Sequence, residues 1–420
     1  MAKIDVPAAV RGICDTLTKQ GHGAWVVGGC VRDSLRQAMQ GLTTPLTTDW
    51  DIATSARPEQ VKNLFRRVIP TGIEHGTVTV IIDKVHYEVT TLRADVGYSD
   101  GRRPDKVEFV DDIVADLARR DFTVNAIAYD VARDTLIDPF QGIADLTARC
   151  LRAVGDPARR FAEDGLRVLR AARFVATLEF SLDPQTEAAI RPSLTSYQKV
   201  STERIRDEWF KALKANTPSA AFQVMHRHGL LEISAPALFA LQASAFEHAL
   251  GCLDAMPHVP TLQLAALLHG LDADPQRAAR TAAQLLRHLR CSNQECDRVQ
   301  ALIEHHRPNY LDQWSDADVR RWLKRVGITA FDDVLTLSGV AHEIAEAEAL
   351  RRRARQQVDS GAPLTLRDLA ITGSDLIREL KLSPGPQLGT LLEQLLSSVL
   401  EDPARNEPAA LLERARELLA

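Results

Sequence analysis

Ala24-Trp25-Val26-Val27-Gly28-Gly29-Cys30-Val31-Arg32-Asp33-Ser34-Leu35, followed a short span later by Asp49-Trp50-Asp51-Ile52-Ala53-Thr54, is the passage that decides how this 420-residue chain begins. The apolar run Ala24 to Val27 reads as a buried strand, Gly-Gly as a tight turn, Val31 to Leu35 as the opening of a helix, and Asp49 onward as a second strand. On an extended segment side chains alternate with period two, so Asp49 and Asp51 project to the same side. Two neighbouring carboxylates repel each other, and a hard divalent cation such as Mg2+ relieves that repulsion while keeping positions open for phosphate oxygens. Gly28 and Gly29 let backbone N–H groups approach a triphosphate closely, and Arg32 can add a charge-assisted bond to the same anion. Either motif alone is also the pattern of a solvated turn; their order along the chain is what joins them into one site.

A chain of this length divides into two to four domains. Its apolar stretches, of which Leu262 to Leu268 is typical, are too short to span a bilayer. The first residues lack the pattern of a secretory signal, so the expected location is cytoplasmic, with no membrane partner. Six cysteines without a C-x-x-C spacing indicate reduced, mostly buried thiols rather than a disulfide framework. A net charge of −5 argues against a protein that coats nucleic acid non-specifically, and no DNA partner is expected. Local clusters such as Arg119-Arg120 and Arg351 to Arg353 still allow a basic RNA-facing surface.

The fold class expected is α+β. Residues from about Val6 to Lys19 form a helix; short β-rich runs (Thr77 to Ile82, His86 to Thr91, Lys106 to Val110) then alternate with helical pieces (Pro58 to Phe65, Asp116 to Ala128). After Asp138-Pro139-Phe140 strands stop, and the chain continues as helical periods broken by Gly and Pro. This gives a catalytic α+β head with a small mixed sheet at 1–150, an all-helical neck at 151–235, a helical body at 236–310 and a helical tail at 311–420.

Two further constellations carry chemistry. In Leu117 to Ala126, Arg120 could hold a triphosphate, while Asp121 and Asn125 could fix the local backbone or a ribose. In Arg160 to Phe174, Asp164 and Arg167 stand three apart on an expected helix, and Arg170 and Arg173 continue the spacing. An aspartate acceptor beside an arginine donor matches a base edge with an exocyclic amine next to an unprotonated ring nitrogen, which cytosine and adenine have and uracil and guanine do not. Such a charged ridge is also the pattern of a solvent-facing helix side.

Five elements occur in order: Gly28 to Asp33, Asp49 to Asp51, Arg119 to Ala126, Asp138 through Leu146, and Glu163 to Arg167. Together they resemble the class II nucleotidyltransferases of the polymerase β superfamily, the bacterial CCA-adding tRNA nucleotidyltransferases and their poly(A) polymerase relatives. The resemblance implies that Gly28, Gly29, Arg32 and Arg120 contact triphosphate or ribose and that Asp49 and Asp51 hold catalytic Mg2+. It also implies that Asp164 and Arg167 read the base, with Arg170 and Arg173 in support. The partners implied are CTP, ATP and a tRNA 3′ end. Glu88, in Tyr87-Glu88-Val89-Thr90, is a candidate third acid. Ala94 to Val107 resembles the flexible loop of full CCA-adding enzymes; A-only addition and poly(A) synthesis stay open, as does a non-catalytic RNA-binding role with a relic head. An insertion between Arg32 and Asp49 departs from the family pattern. Leu262 to Leu271 resembles a histidine-aspartate phosphohydrolase segment, with His248 and His305 as further ligands, but His269 is followed by Gly270. The body is therefore expected to be a degenerate helical domain without phosphohydrolase activity. Lys211, Lys214 and Arg351 to Arg355 are candidate tRNA contacts.

Overall fold

The computed structural model describes residues 4–41, 49–96, 106–307, 314–342 and 347–420. The insertion residues Thr43, Thr44, Pro45, Thr47 and Thr48, and the loop residues 97–105, lie outside the described residues. Two compact units are present, Met1–Phe239 and Ala240–Ala420.

The first unit is built on β1 (Ala24–Val27), β2 (Asp51–Thr54), β3 (Val68–Gly72), β4 (Thr77–Ile82), β5 (Val85–Thr91), β8 (Ala128–Asp130) and β9 (Thr135–Ile137), in the order β3-β4-β5-β2-β1-β8-β9. The sheet is mixed, because β2 runs parallel to β5 while its other pairings are antiparallel. A separate hairpin joins β6 (Arg93–Val96) to β7 (Lys106–Phe109). All four residues of β1 are buried, as expected of a strand covered on both faces. Trp25 and Val27 point into a cluster with Ala53, Leu92, Leu117 and Val154. Helix α1 (Ala8–Lys19) packs on β1 and buries Val10, Ile13, Cys14 and Leu17.

Gly28 ends β1 at φ +81°, a conformation that side chains strain to adopt, and helix α2 (Gly29–Met39) starts immediately after it. Helix α3 (Pro58–Leu64) follows β2, and α4 (Ile113–Ala118) follows β7. The helix expected over Asp116 to Ala128 is not formed. α4 stops at Ala118, a single 3₁₀ turn occupies Thr123–Asn125, and β8 begins at Ala128. The cause is competition for backbone groups: the Asp121 carboxylate accepts from the Phe122 N–H at 2.8 Å, and Thr123 and Val154 exchange bonds with Arg152 and Asp121 across the chain. Strands β3, β6, β8 and β9 also went unread in the sequence, being short, Pro- or Asp-containing, or only weakly alternating.

Helix α5 (Gly142–Thr147) closes the head, and a two-residue parallel pair, Cys150–Leu151 with Ser181–Leu182, follows it. Then come α6 (Pro157–Glu163) and α7 (Leu166–Leu178). From Pro184 onward the described elements are α-helices and 3₁₀ turns. No described helix is long and apolar enough to cross a membrane. The six cysteines are free thiols, five of them buried.

Candidate active site

The carboxylate corner lies where β1, β2 and β5 meet. Asp51 opens β2, and its Cα partners are Val27 on β1 and Glu88 on β5. Directly paired residues share a sheet face, so the two acids stand side by side. Asp51 is half-buried while Asp49 and Glu88 are exposed. Burial pushes the Asp51 carboxyl up to about 6; Arg120 opposes that rise, and Glu88 and Asp49 add to it. Two exposed carboxylates beside a half-buried third form an all-oxygen donor set of the kind that hard dications prefer.

Gly28 lies against this corner. A Cβ built there would come within 2.8 Å of Arg120 Nη1 and 3.8 Å of Asp51 Oδ2. The absent side chain thus leaves the cradle in which the turn, the guanidinium and the carboxylate converge. Arg120 is loosely held: Nη1 donates to the Asn125 carbonyl and Nη2 to Asp116, both at 3.5 Å, and its Nε is buried without a partner. The amino-terminal end of α2 carries no acidic residue in its first turn, so its N–H groups and dipole also favour an anion here. These observations fit a metal-bound triphosphate.

Arg32 is buried and mostly committed to its neighbours. It grips Asp33 through Nε and Nη2, both at 2.8 Å, and donates from Nη1 to Asn125 Oδ1 at 2.6 Å. Asn125 Nδ2 donates to Asp121 Oδ1 at 3.1 Å, and Asp121 Oδ2 accepts from Arg170 Nε at 2.8 Å. The Asp121 carboxyl is held well below its usual range, with Arg170 and Asn125 overcoming the cost of burial. Arg32, Arg170 and Arg173 all place their guanidinium carbons within 5.4 Å of the Phe174 ring centre. One polar network therefore runs from the phosphate corner to α7.

The expected continuous helix through Asp164 and Arg167 is broken. α6 ends at Glu163, Asp164 is extended at φ −144°, and α7 begins at Leu166. Asp164 Oδ1 accepts from the Leu166 N–H at 3.0 Å, which bends the chain into α7. A Cβ on Gly165 would meet the Ser196 carbonyl oxygen at 2.2 Å, so this break admits only glycine without rearrangement. The arginine ridge is not solvent-facing either. Arg167 is 9% exposed and donates to Glu163 at 2.8 Å, to the Arg160 carbonyl at 2.9 Å and to the Arg119 carbonyl at 3.0 Å. Arg173 pairs with the buried Glu208. Asp164 is clamped by both Nη atoms of Arg204, at 3.2 and 2.8 Å.

Sequence reasoning missed Asp116, which holds Arg119 and Arg120, and gave no role to Arg204 or Glu208. Each sits three or four residues from an arginine or on a separate helix, a pattern that surface ion pairs share. In the second unit, His306 rather than His305 meets His269 edge to face, with ring centres 5.4 Å apart. Of the candidate tRNA contacts, Lys211 pairs with Glu208, while Arg351, Arg353 and Arg355 pair with Asp332 or Asp316.

The model of the poly(A) polymerase head domain matches residues 24–152, and tRNA nucleotidyltransferase domain 2 matches 261–415. A CCA-adding enzyme of Lactiplantibacillus plantarum is 37% identical over 414 residues, covering 97% of this chain and 95% of that protein. One from Lactobacillus johnsonii is 35% identical over 420 residues, covering 97% of each. The solved Bacillus stearothermophilus CCA-adding enzyme in complex with CTP superposes with a TM-score of 0.78 at 31% identity, covering 97% of both chains.

Proposed function

The chain belongs to the CCA-adding enzymes, a family of tRNA nucleotidyltransferases, and from that premise we propose that it adds C, C and A to tRNA 3′ ends from CTP and ATP, releasing pyrophosphate. The observation that supports this most directly is the corner in which Asp51 pairs with Glu88 beside the side-chain-free Gly28 and the underused Arg120.

In this reading Asp49 and Asp51 hold Mg2+, with Glu88 beside them. Bound Mg2+ supplies the positive charge that favours in-line attack of a 3′-hydroxyl on the α-phosphorus and departure of pyrophosphate. Gly28 and Gly29 bring backbone N–H groups to the triphosphate, Arg120 donates to it, and Arg32 fixes the turn through Asp33 and Asn125. Asp164 accepts from the exocyclic amine of cytosine or adenine, and Arg167 donates to the neighbouring ring nitrogen. Arg204 orients Asp164, while Arg170 and Arg173 brace α7 through Asp121 and Glu208. Uracil or guanine would present like groups to this pair, leaving polar atoms unmatched.

The finer division into head (1–150), neck (151–235), body (236–310) and tail (311–420), a cytoplasmic location, and the absence of phosphohydrolase turnover in the body belong to the same proposal. Gly270 in place of a carboxylate supports the last of these. The test is to supply tRNA lacking CCA, or ending in C or CC, with CTP, ATP and Mg2+ and to sequence the 3′ ends. Completion of all three to CCA is expected; extension of only the CC-ended substrate identifies an A-adding enzyme, and long adenylate tails identify a poly(A) polymerase. No extension by wild type, or equal extension by Asp49→Ala, removes the site assignment.

A further inference from the structure

The second unit gathers four histidines and a cysteine from four stretches of helix. His248 and Cys252 stand four apart on the helix Ala243–Ala255, on one face. His269 opens the 3₁₀ turn after Pro260–Leu268, His306 caps Asn293–His305, and His342 ends Phe331–His342. The His269 ring is central, with centres 5.5 Å from His248, 5.4 Å from His306 and 6.1 Å from His342. Donor atoms of His248, Cys252 and His269 all lie within 4.8 Å of one another.

The hydrogen bonds around these rings fix where the lone pairs are. His269 Nδ1 faces the Ala266 carbonyl at 2.7 Å, and His306 Nδ1 faces the Ile303 carbonyl at 2.6 Å. A carbonyl only accepts, so both rings carry the proton on Nδ1 and an unprotonated Nε2. That backbone support is the one that metal-ligating imidazoles commonly have. His306 is 1% exposed, and its Nε2 is buried with no hydrogen-bond partner. An orphaned buried acceptor costs stability unless something fills it. His342 is satisfied separately, since Arg307 Nε donates to its Nε2 at 3.0 Å.

We propose that His248, Cys252 and His269 form a binding site for one late transition-metal dication, Zn2+ being the natural occupant, with a water that donates to the orphaned His306 Nε2 in the fourth position. Two imidazoles, a thiol and a water are a borderline-soft donor set that suits tetrahedral Zn2+ and Co2+ and discriminates against Mg2+. His248 is exposed while Cys252 and His269 are buried, so the ion has a route in past His248. Binding forms two metal–nitrogen bonds, one metal–sulfur bond and one bond to water. The Cys252 thiol proton leaves to water, His248 shifts its proton to Nδ1 and exchanges its contact with the Ala341 carbonyl for the ion, and no atom changes oxidation state. Gly270 removes a hard carboxylate ligand, and Cys252 supplies a soft one. The site ties the helix Ala243–Ala255 to the turn after Pro260–Leu268 and lies outside the residues assigned to nucleotidyl transfer, so its standing does not depend on that reading.

The full-length protein, stripped with chelator and kept in excess Mg2+ to saturate the head, is titrated with Co2+. One equivalent is expected to give a thiolate-to-cobalt charge-transfer band with tetrahedral d–d bands, lost on Zn2+ addition and absent in Cys252→Ser. No charge-transfer band in the wild type, or an unchanged band in Cys252→Ser, overturns the site. Should Cys252→Ser fail to fold, X-ray absorption of the Zn2+-loaded wild type decides alone. A single sulfur at about 2.3 Å with nitrogen scatterers at about 2.0–2.1 Å supports the site, and a shell of nitrogen and oxygen only refutes it.

Discussion

Asp51 and Glu88 are register partners on two parallel neighbouring strands, so the sheet itself sets two acids side by side at the corner where Gly28 turns. The crowding has a thermodynamic signature. Because the folded Asp51 carboxyl sits at about 6 against 3.8 for an ordinary aspartate, its ionised form is disfavoured by folding. The sign follows from linkage: metal-free protein bears this penalty in full above about pH 6, and the penalty disappears as pH falls from about 6 towards 4. Asp51→Asn should therefore stabilise the chelated protein at pH 7.5 by up to about 3 kcal/mol and make no difference near pH 4, while abolishing nucleotidyl transfer. Urea midpoints with and without Mg2+ check this; the wild type alone should gain stability from Mg2+, and should gain less as pH drops through 6.

Replacing Gly28 by alanine places a methyl group 2.8 Å from Arg120 Nη1 at a φ of +81°. The strain costs roughly 1–2 kcal/mol and displaces the guanidinium from the corner. Single-turnover rates should fall about 100-fold, as for a misplacement near 1 Å, with the thermal midpoint lowered only slightly. Retention of the wild-type rate would mean that Arg120 does not engage the triphosphate.

Arg204 holds Asp164 with two Nη donors. Arg204→Ala should let Asp164 rotate, so that the ratio of CTP to UTP incorporation falls by tenfold or more, about 1.4 kcal/mol of lost discrimination. Competition assays with both nucleotides measure it directly. A uniform drop in rate with the ratio intact would show that Asp164 does not choose the base.

Asp121 is buried and carries both Arg170 and Asn125. Asp121→Asn leaves Arg170 without its counter-charge, which costs about 3–5 kcal/mol in a buried pair. Its depressed carboxyl also contributes stability that is present at neutral pH and is lost on acidification below the usual aspartate range. The mutant should show a lower urea midpoint at pH 7 and a flatter acid-unfolding profile than wild type.

The strand-turn-helix of Ala24 to Leu35 and the carboxylates after it were legible because each step uses a local rule: an apolar run, a glycine pair, a period of two. So was the helical remainder. What sequence could not show was anything set by distant partners. The 3₁₀ turn at Thr123–Asn125 replaces a helix because Arg152 and Val154 supply competing backbone bonds from downstream. The break at Asp164 is fixed by Ser196 crowding Gly165, and the inward turn of the arginines by Glu163, Asp121 and Glu208.

Arg167 donates to the carbonyl of Arg119, whose next residue is Arg120. The group assigned to the nucleobase and the group assigned to the phosphate tail are thus fastened to adjacent links of one peptide. Breeding a variant with looser letter choice by altering Arg167 would slacken its neighbour as well, so a selection for promiscuous polymerases from this scaffold should return slow ones.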